Sequence, residues 1–196
     1  SPGGGFDFGN LLAGNIATID VQRGSNSVTW GSDAIGGVVL IETGGQDGAT
    51  VEYGSHDTRR ANGQYAINGE DFFLTAGGGY FSTDGISGAR SGSEADGYRQ
   101  YAANVSGAIN LTDMLKLSVN GLFANSRLEL DGFAPPSFSF GDTAERQDVQ
   151  EVYASAALSH RIGEFVQGIR FSAADVCRDI VDPSAGTTPT FAARGR

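Results

Sequence analysis

The sequence is poor in the residues that carry most protein chemistry. It has one cysteine, Cys177, and two histidines, His56 and His160, in 196 residues. A single cysteine cannot close an internal disulfide, and with no CxxC or Cys/His cluster there is no zinc set. The patterns Gly-x-Ser-x-Gly, His-Glu-x-x-His and Gly-x-x-x-x-Gly-Lys-Ser/Thr are absent, which removes the usual signatures of serine hydrolases, zinc peptidases and phosphate loops. His56, beside Asp57, and His160, in a short turn, have no nucleophile near them in sequence and read as solvated. The expectation is a protein that is not an enzyme and has no cofactor. Lysine and arginine number only 13 against 23 acids, a net charge of -10, which argues against nucleic acid as a partner. No run of about 18 apolar residues occurs, so no membrane-spanning helix is expected.

Glycine, by contrast, is abundant at 30 residues. Acids cluster between apolar stretches, at Glu94 and Asp96 and at Asp142, Glu145 and Asp148. Such loops suit a cation or a cationic ligand, with solvation as the ordinary alternative.

From about residue 49 the sequence alternates with period two, which sorts side chains onto two faces of a strand. Val51 and Tyr53, then Tyr65 and Ile67, then Leu74, Ala76 and Tyr80 take one face. The same holds for Tyr101, Val105 and Ile109, for Leu117, Val119 and Phe123, for Val152 and Leu158, and for Phe165, Ile169 and Phe171, with Gln167 as a blemish. These strands are longer than the five or six residues usual in soluble sheets and approach the length of a tilted transmembrane strand. Tight turns at 68–71, 111–114 and 160–164 alternate with long polar loops at 82–97 and 128–148. Membrane barrels sort their connections this way, short at the periplasmic rim and long outside. The short connection at 55–58 breaks the rule. Aromatic residues near strand ends, Tyr53, Phe72, Tyr80, Phe81, Tyr101, Phe123 and Phe165, fit an interfacial girdle.

Ahead of the strands, residues 16–43 read IATIDVQRGSNSVTWGSDAIGGVVLIET. This segment resembles the end of the plug domain of TonB-dependent outer-membrane receptors: an Ile-x-x-Ile-x-Val strand, Arg23-Gly24, Trp30-Gly31, then Asp33-Ala34-Ile35-Gly36-Gly37 and a final apolar strand. Its wording is closest to that of cobalamin receptors, and siderophore and haem receptors share much of it. Ser25 stands where the family usually has proline, and Ala17-Thr18 replace a charged pair often found there.

The resemblance implies an all-β chain: the end of a plug at 1–44, then the first part of a transmembrane antiparallel barrel at 45–196. About seven strands are readable up to Val176, whereas a plugged transporter has about 22. The chain is accordingly expected to be a piece of a longer protein whose signal peptide and TonB box lie upstream, with residues 177–196 opening a further external loop of little order. The resemblance further implies energy-coupled uptake of a scarce nutrient across the outer membrane of a Gram-negative bacterium, with TonB, outer-membrane lipid and a metal chelate or cobalamin as partners. Arg23, Gly24, Trp30, Gly31, Asp33, Gly36 and Gly37 would form the plug motif. Glu94, Asp96 and Asp131 would be candidate ligand or calcium residues, with unliganded turn acids as the alternative. Arg23 reads as a solvated arginine or as a partner for Glu52. Phe133, Phe138 and Phe140 would meet an apolar ligand face or pack the loop on itself. A passive porin-like or autotransporter barrel is the alternative, with the same strands and no plug.

Overall fold

A computed structural model of the protein describes residues 16–32, 34–43, 47–90, 92–134, 136, 138–182 and 191–195. The architecture is all-β. Strands β1 (Ile16–Arg23) and β2 (Gly37–Thr43) pair antiparallel in a two-stranded sheet, and the single helical turn α1 (Ser27–Trp30) lies between them. The remaining strands are β3 (Gly48–Gly54), β4 (Thr58–Asn68), β5 (Phe72–Thr83), β6 (Tyr98–Thr112), β7 (Leu115–Ala134), β8 (Ser139–Ile162), β9 (Phe165–Val181) and β10 (Phe191–Gly195). Each pairs antiparallel with its sequence neighbour, in the spatial order β10-β9-β8-β7-β6-β5-β4-β3. This up-and-down sheet has two edges, β3 and β10, and is not closed on itself among the described residues.

Residues opposed across an antiparallel ladder point to the same side, so the register turns the period-two pattern into rows. One row runs Tyr65, Ala76, Val105, Gly121, Ala154, Ala173, and the next runs Ile67, Leu74, Gly107, Val119, Ala156, Phe171. On the other face the row Ala66, Thr75, Ser106, Asn120, Ser155, Ser172 is mostly hydroxyl and amide.

Burial is inverted with respect to polarity. Gln100, Asn104, Ser126 and Glu151 are buried on the polar face, whereas Tyr101 is 49% and Phe171 77% exposed on the apolar one. A water-soluble sheet does the reverse, because apolar area costs about 25 cal/mol per Å² when left in water.

The apolar belt also slants. Its upper border is Ala61 on β4, where Arg59 follows, and Ala173 on β9, where Asp175 follows. The row through Ala61 runs by Tyr80, Tyr101, Asn125 and Gln150 to Cys177, so across these strands the border descends by the four residues that separate Cys177 from Ala173. With about 3.3 Å per residue and about 4.8 Å between strands, that slant is about 30°.

The tight turns fall where the sequence places them. The connection at 55–58 is a two-residue turn in which His56 and Asp57 both take positive φ, 55° and 49°, the backbone of a type I′ hairpin turn. Three readings are corrected. Residues 128–148 are not a long loop: β7 and β8 continue through them in register to Ala134 opposite Ser139. On β8 both faces there are mostly polar, and on β7 the alternation of Leu128 and Leu130 with Arg127, Glu129 and Asp131 puts its apolar side opposite the belt, so the belt's pattern does not continue into them. Residues 177–196 are not without order, since β9 extends to Val181 and Phe191–Gly195 pair with it. Phe81 leaves the girdle, because its register with Gln100 places it on the polar face, where the Arg60 guanidinium sits 5.3 Å from its ring centre. Gln167 lies one row inside the lower border of the belt, where its amide meets His160 Nδ1 at 3.2 Å.

Candidate functional site

The plug-like motif forms a closed hairpin. Arg23 and Gly37 are opposed at its neck, and above them the Gly24 N–H donates to Gly36 O (3.2 Å) and the Asn26 N–H to Ala34 O (2.8 Å). Asn26 O then accepts the N–H groups of Thr29 and Trp30, which builds α1. Gly31 closes the helical turn at φ 97° and Gly24 turns at φ 95°, a region that L side chains resist. Gly37 combines φ 151° with a close approach, since a Cβ there would lie 2.7 Å from Gln22 O. Gly36 meets neither demand: an added Cβ would have open space. Ala34 is buried and Trp30 half-exposed. Asp33 lies outside the described residues.

The Arg23 side chain is exposed and makes no ion pair among the described residues, while Glu52 is taken by Arg60 on the adjacent strand at 3.2 Å. Thr18, at the position where a charged pair is often found, donates its hydroxyl to Glu42 across the hairpin at 2.9 Å. Glu42 and Thr43, with Ile41, face the polar side of the sheet across an open cavity of about 880 Å³ that also touches Ser106, Asn120 and Ser155. The end of the hairpin and the hydroxyl row thus line one open cavity, together with Phe73 and Leu122.

At the opposite end of the strands, the acids form a latch between two connections. Asp131 on β7 accepts the Ala89 N–H (2.6 Å) and the Ser87 hydroxyl (3.1 Å). Asp142 on β8 accepts the N–H groups of Ser93 (2.7 Å) and Glu94 (3.0 Å), and Glu129 accepts that of Gly97 (3.1 Å). Asp96 closes the loop on itself through the Gly88 N–H at 2.6 Å. Asp96 and Asp131 are therefore brought to one loop. Glu94 contributes its backbone there while its residue is exposed. Asp142, Glu129 and Ser87 also belong to this group, and sequence reasoning did not assign them to it because their partners lie 32 to 55 residues away.

Hydrogen bonds from the Glu94 and Ser93 backbone hold the Asp142 carboxyl below its ordinary range. Glu145 moves the other way, raised by burial and secondarily by Asp182. Among the described residues no three His, Cys, Asp or Glu side chains gather as a metal set. At the tip of the β7–β8 hairpin Phe133 and Phe140 pack ring to ring, 5.3 Å between centres, while Phe138 projects at φ 48°. Comparison with protein-family models and with curated proteins finds no match to this chain.

Proposed function

We propose that the chain is the junction between plug and barrel wall of a TonB-dependent outer-membrane receptor, with 1–44 ending the plug and 45–196 beginning the wall. The observation that carries this reading is the inverted sheet, whose apolar rows face outward while Gln100, Asn104 and Glu151 are buried on the other face. Lipid is the solvent that makes that arrangement favourable, because between β4 and β8 the backbone groups within the belt are paired strand to strand and mostly apolar side chains face hydrocarbon.

Two dimensions support it. Tyr101 to Leu111 on β6 spans about 33 Å along the strand, or about 25 Å across a membrane for strands tilted by 35–45°. The belt's slant of about 30° is close to that tilt, so a row pattern that is oblique on the sheet becomes level with the membrane plane.

The hairpin at 16–43 favours a plugged receptor over a porin-like or autotransporter barrel, which has no use for a glycine-closed hairpin beside the polar face. In this reading the latched loop 84–97 and the tall β7–β8 hairpin are external and help to hold a nutrient such as a metal chelate or cobalamin. TonB, acting through a segment upstream, then moves the plug along the hydroxyl row, whose short side chains offer water-replaceable hydrogen bonds and little steric resistance. No covalent chemistry is required of any residue.

The test is expression of the full reading frame in a Gram-negative host, with membrane fractionation, heat-dependent electrophoretic mobility and uptake of ferric chelates and cobalamin. Outer-membrane recovery, a heat-modifiable band and uptake that disappears without TonB are expected. Recovery in a soluble fraction would overturn the membrane reading, and TonB-independent diffusion of small solutes would favour the porin-like one.

A further inference from the structure

Strand β3 starts at Gly48, opposite Gln64, whereas β4 runs on past Gln64 to Asn68. Tyr65 and Ile67 in that stretch stand in two rows of the apolar belt and are 64% and 46% exposed. The lower end of β4 is thus an edge at the depth of the belt, with β5 on one side and no strand on the other among the described residues. Backbone donors left open at that depth are costly. Ala66 has the parity of Gln64, so its N–H points to the β3 side of the strand, beyond the start of β3. It donates to Asp47 Oδ1 at 2.6 Å. A side chain, and not a neighbouring strand, therefore supplies the last acceptor of this ladder.

Asp47 is also where the connection from the hairpin enters the wall. β2 ends at Thr43 and β3 starts at Gly48, so a displacement of the hairpin loads Asp47 before it loads the β3–β4 ladder. β3 itself is weakly held: it has seven residues, all exposed, and pairs only with β4 among the described residues. At the far end its ladder is closed by the type I′ turn, with Tyr53 bound to Asp57 and Glu52 to Arg60. At the near end it has the Asp47 bond. We infer that Asp47 is the clamp at which motion of the hairpin stops, so that the plug segment is drawn away while β3 stays in the wall. The inference rests on the receptor reading, in which TonB applies that load. A hydrogen bond from a backbone N–H to a carboxylate is roughly twice as strong as a neutral one, and this one stands where peeling of the strand would begin. Without it β3 separates from β4 toward the turn and opens backbone groups of the wall to hydrocarbon.

The full-length protein, purified from outer membranes, is to be compared with Asp47→Ala, Asp47→Asn and, as a control in the turn after β4, Glu70→Ala. Heat-modifiable mobility checks folding of each variant. Two quantities are read: the exchange rate of the Ala66 amide hydrogen, and the length of chain released when single molecules are pulled from the N-terminus. Asp47→Ala is expected to exchange about tenfold faster at Ala66 and Glu70→Ala at the wild-type rate. Asp47→Asn falls between, since its amide oxygen keeps an acceptor without the charge. Under load the wild type is expected to release chain only up to Gly48, and Asp47→Ala to release the seven residues of β3 in addition, about 25 Å more. Equal Ala66 exchange in wild type and folded Asp47→Ala overturns this inference and leaves the receptor reading intact, as does an equal released length. A wild-type protein found outside the membrane overturns the receptor reading and the clamp with it.

Discussion

Asp142 and Ser93 are 49 residues apart, yet the Asp142 carboxylate accepts the Ser93 N–H at 2.7 Å and so fastens the loop after β5 to the hairpin after β7. The contact joins two connections that no sheet ladder pairs with each other. Arg90 lies exposed within the fastened loop, which makes that loop testable by protease.

Replacing Asp142 by Ala leaves the Ser93 and Glu94 N–H groups without their acceptor. Tryptic cleavage after Arg90 is expected to accelerate several-fold at neutral pH, with cleavage elsewhere unchanged. The pH dependence has a definite sign. A carboxylate whose folded pKa is depressed adds stability that is present above its unfolded value of about 3.9 and is lost as pH falls through the folded one. The wild-type loop is therefore expected to loosen below about pH 4, seen as faster backbone hydrogen exchange at 84–97. An exchange rate that does not change on acidification would contradict the latch.

Glu145 is the opposite case. Burial raises its folded pKa, so its stabilising contribution is full below the unfolded value of about 4.3 and disappears as pH rises through the folded one. Glu145→Gln should raise thermal stability at pH 7, by less than about 1 kcal/mol, and make no difference at pH 4. A stabilisation that persists in acid would point to packing instead.

Gly37→Ala places a methyl group 2.7 Å from Gln22 O at a positive φ of 151°. The two effects together are expected to cost about 1–3 kcal/mol in the hairpin. Trp30 is the sole tryptophan, so its emission reports on this segment directly. The variant should show a red shift and earlier quenching during denaturation, while Gly36→Ala, with open space around the new carbon, should not.

Val105 lies in the middle row of the belt, facing outward. Val105→Arg is expected to destabilise the protein in a bilayer by about 2–4 kcal/mol, the cost of a cation near the midplane. Asn120→Ser, on the polar face, should stay within about 0.5 kcal/mol. Equal effects of the two, measured by denaturant titration in vesicles, would argue that lipid does not contact the Val105 face.

Period-two alternation made most strands legible, because a strand with one apolar face prints that face into its sequence at every second residue. Val119 and Ser118 need no partner to declare their sides. The tight turns at 68–71, 111–114 and 160–164 were equally local, set by a few residues that end one ladder and start another. Where the belt ends the signal weakens: Arg127 to Ala134 and Ser139 to Gln147 are strand in the structure and read as loop in the sequence, since their belt-side residues are mostly charged and only Leu128 and Leu130 keep an alternation, on the opposite face.

In the plug-like motif the glycines were visible, but which of them matter was not. Gly37 and Gly36 are adjacent and identical in sequence, and the positive φ of Gly37 and the approach of Gln22 O separate them. Cross-strand register, likewise, is a property of pairing. It alone slants the belt and brings Asp131 and Asp142 to the same loop.

The sequence by itself thus determined the strands of the belt, their two faces and the acidic balance, because each depends on residues close together in the chain. Only the tertiary structure decided which face is covered, how high the β7–β8 hairpin stands and which carboxylates hold which loop. Those depend on contacts between segments tens of residues apart, whose geometry no local pattern encodes.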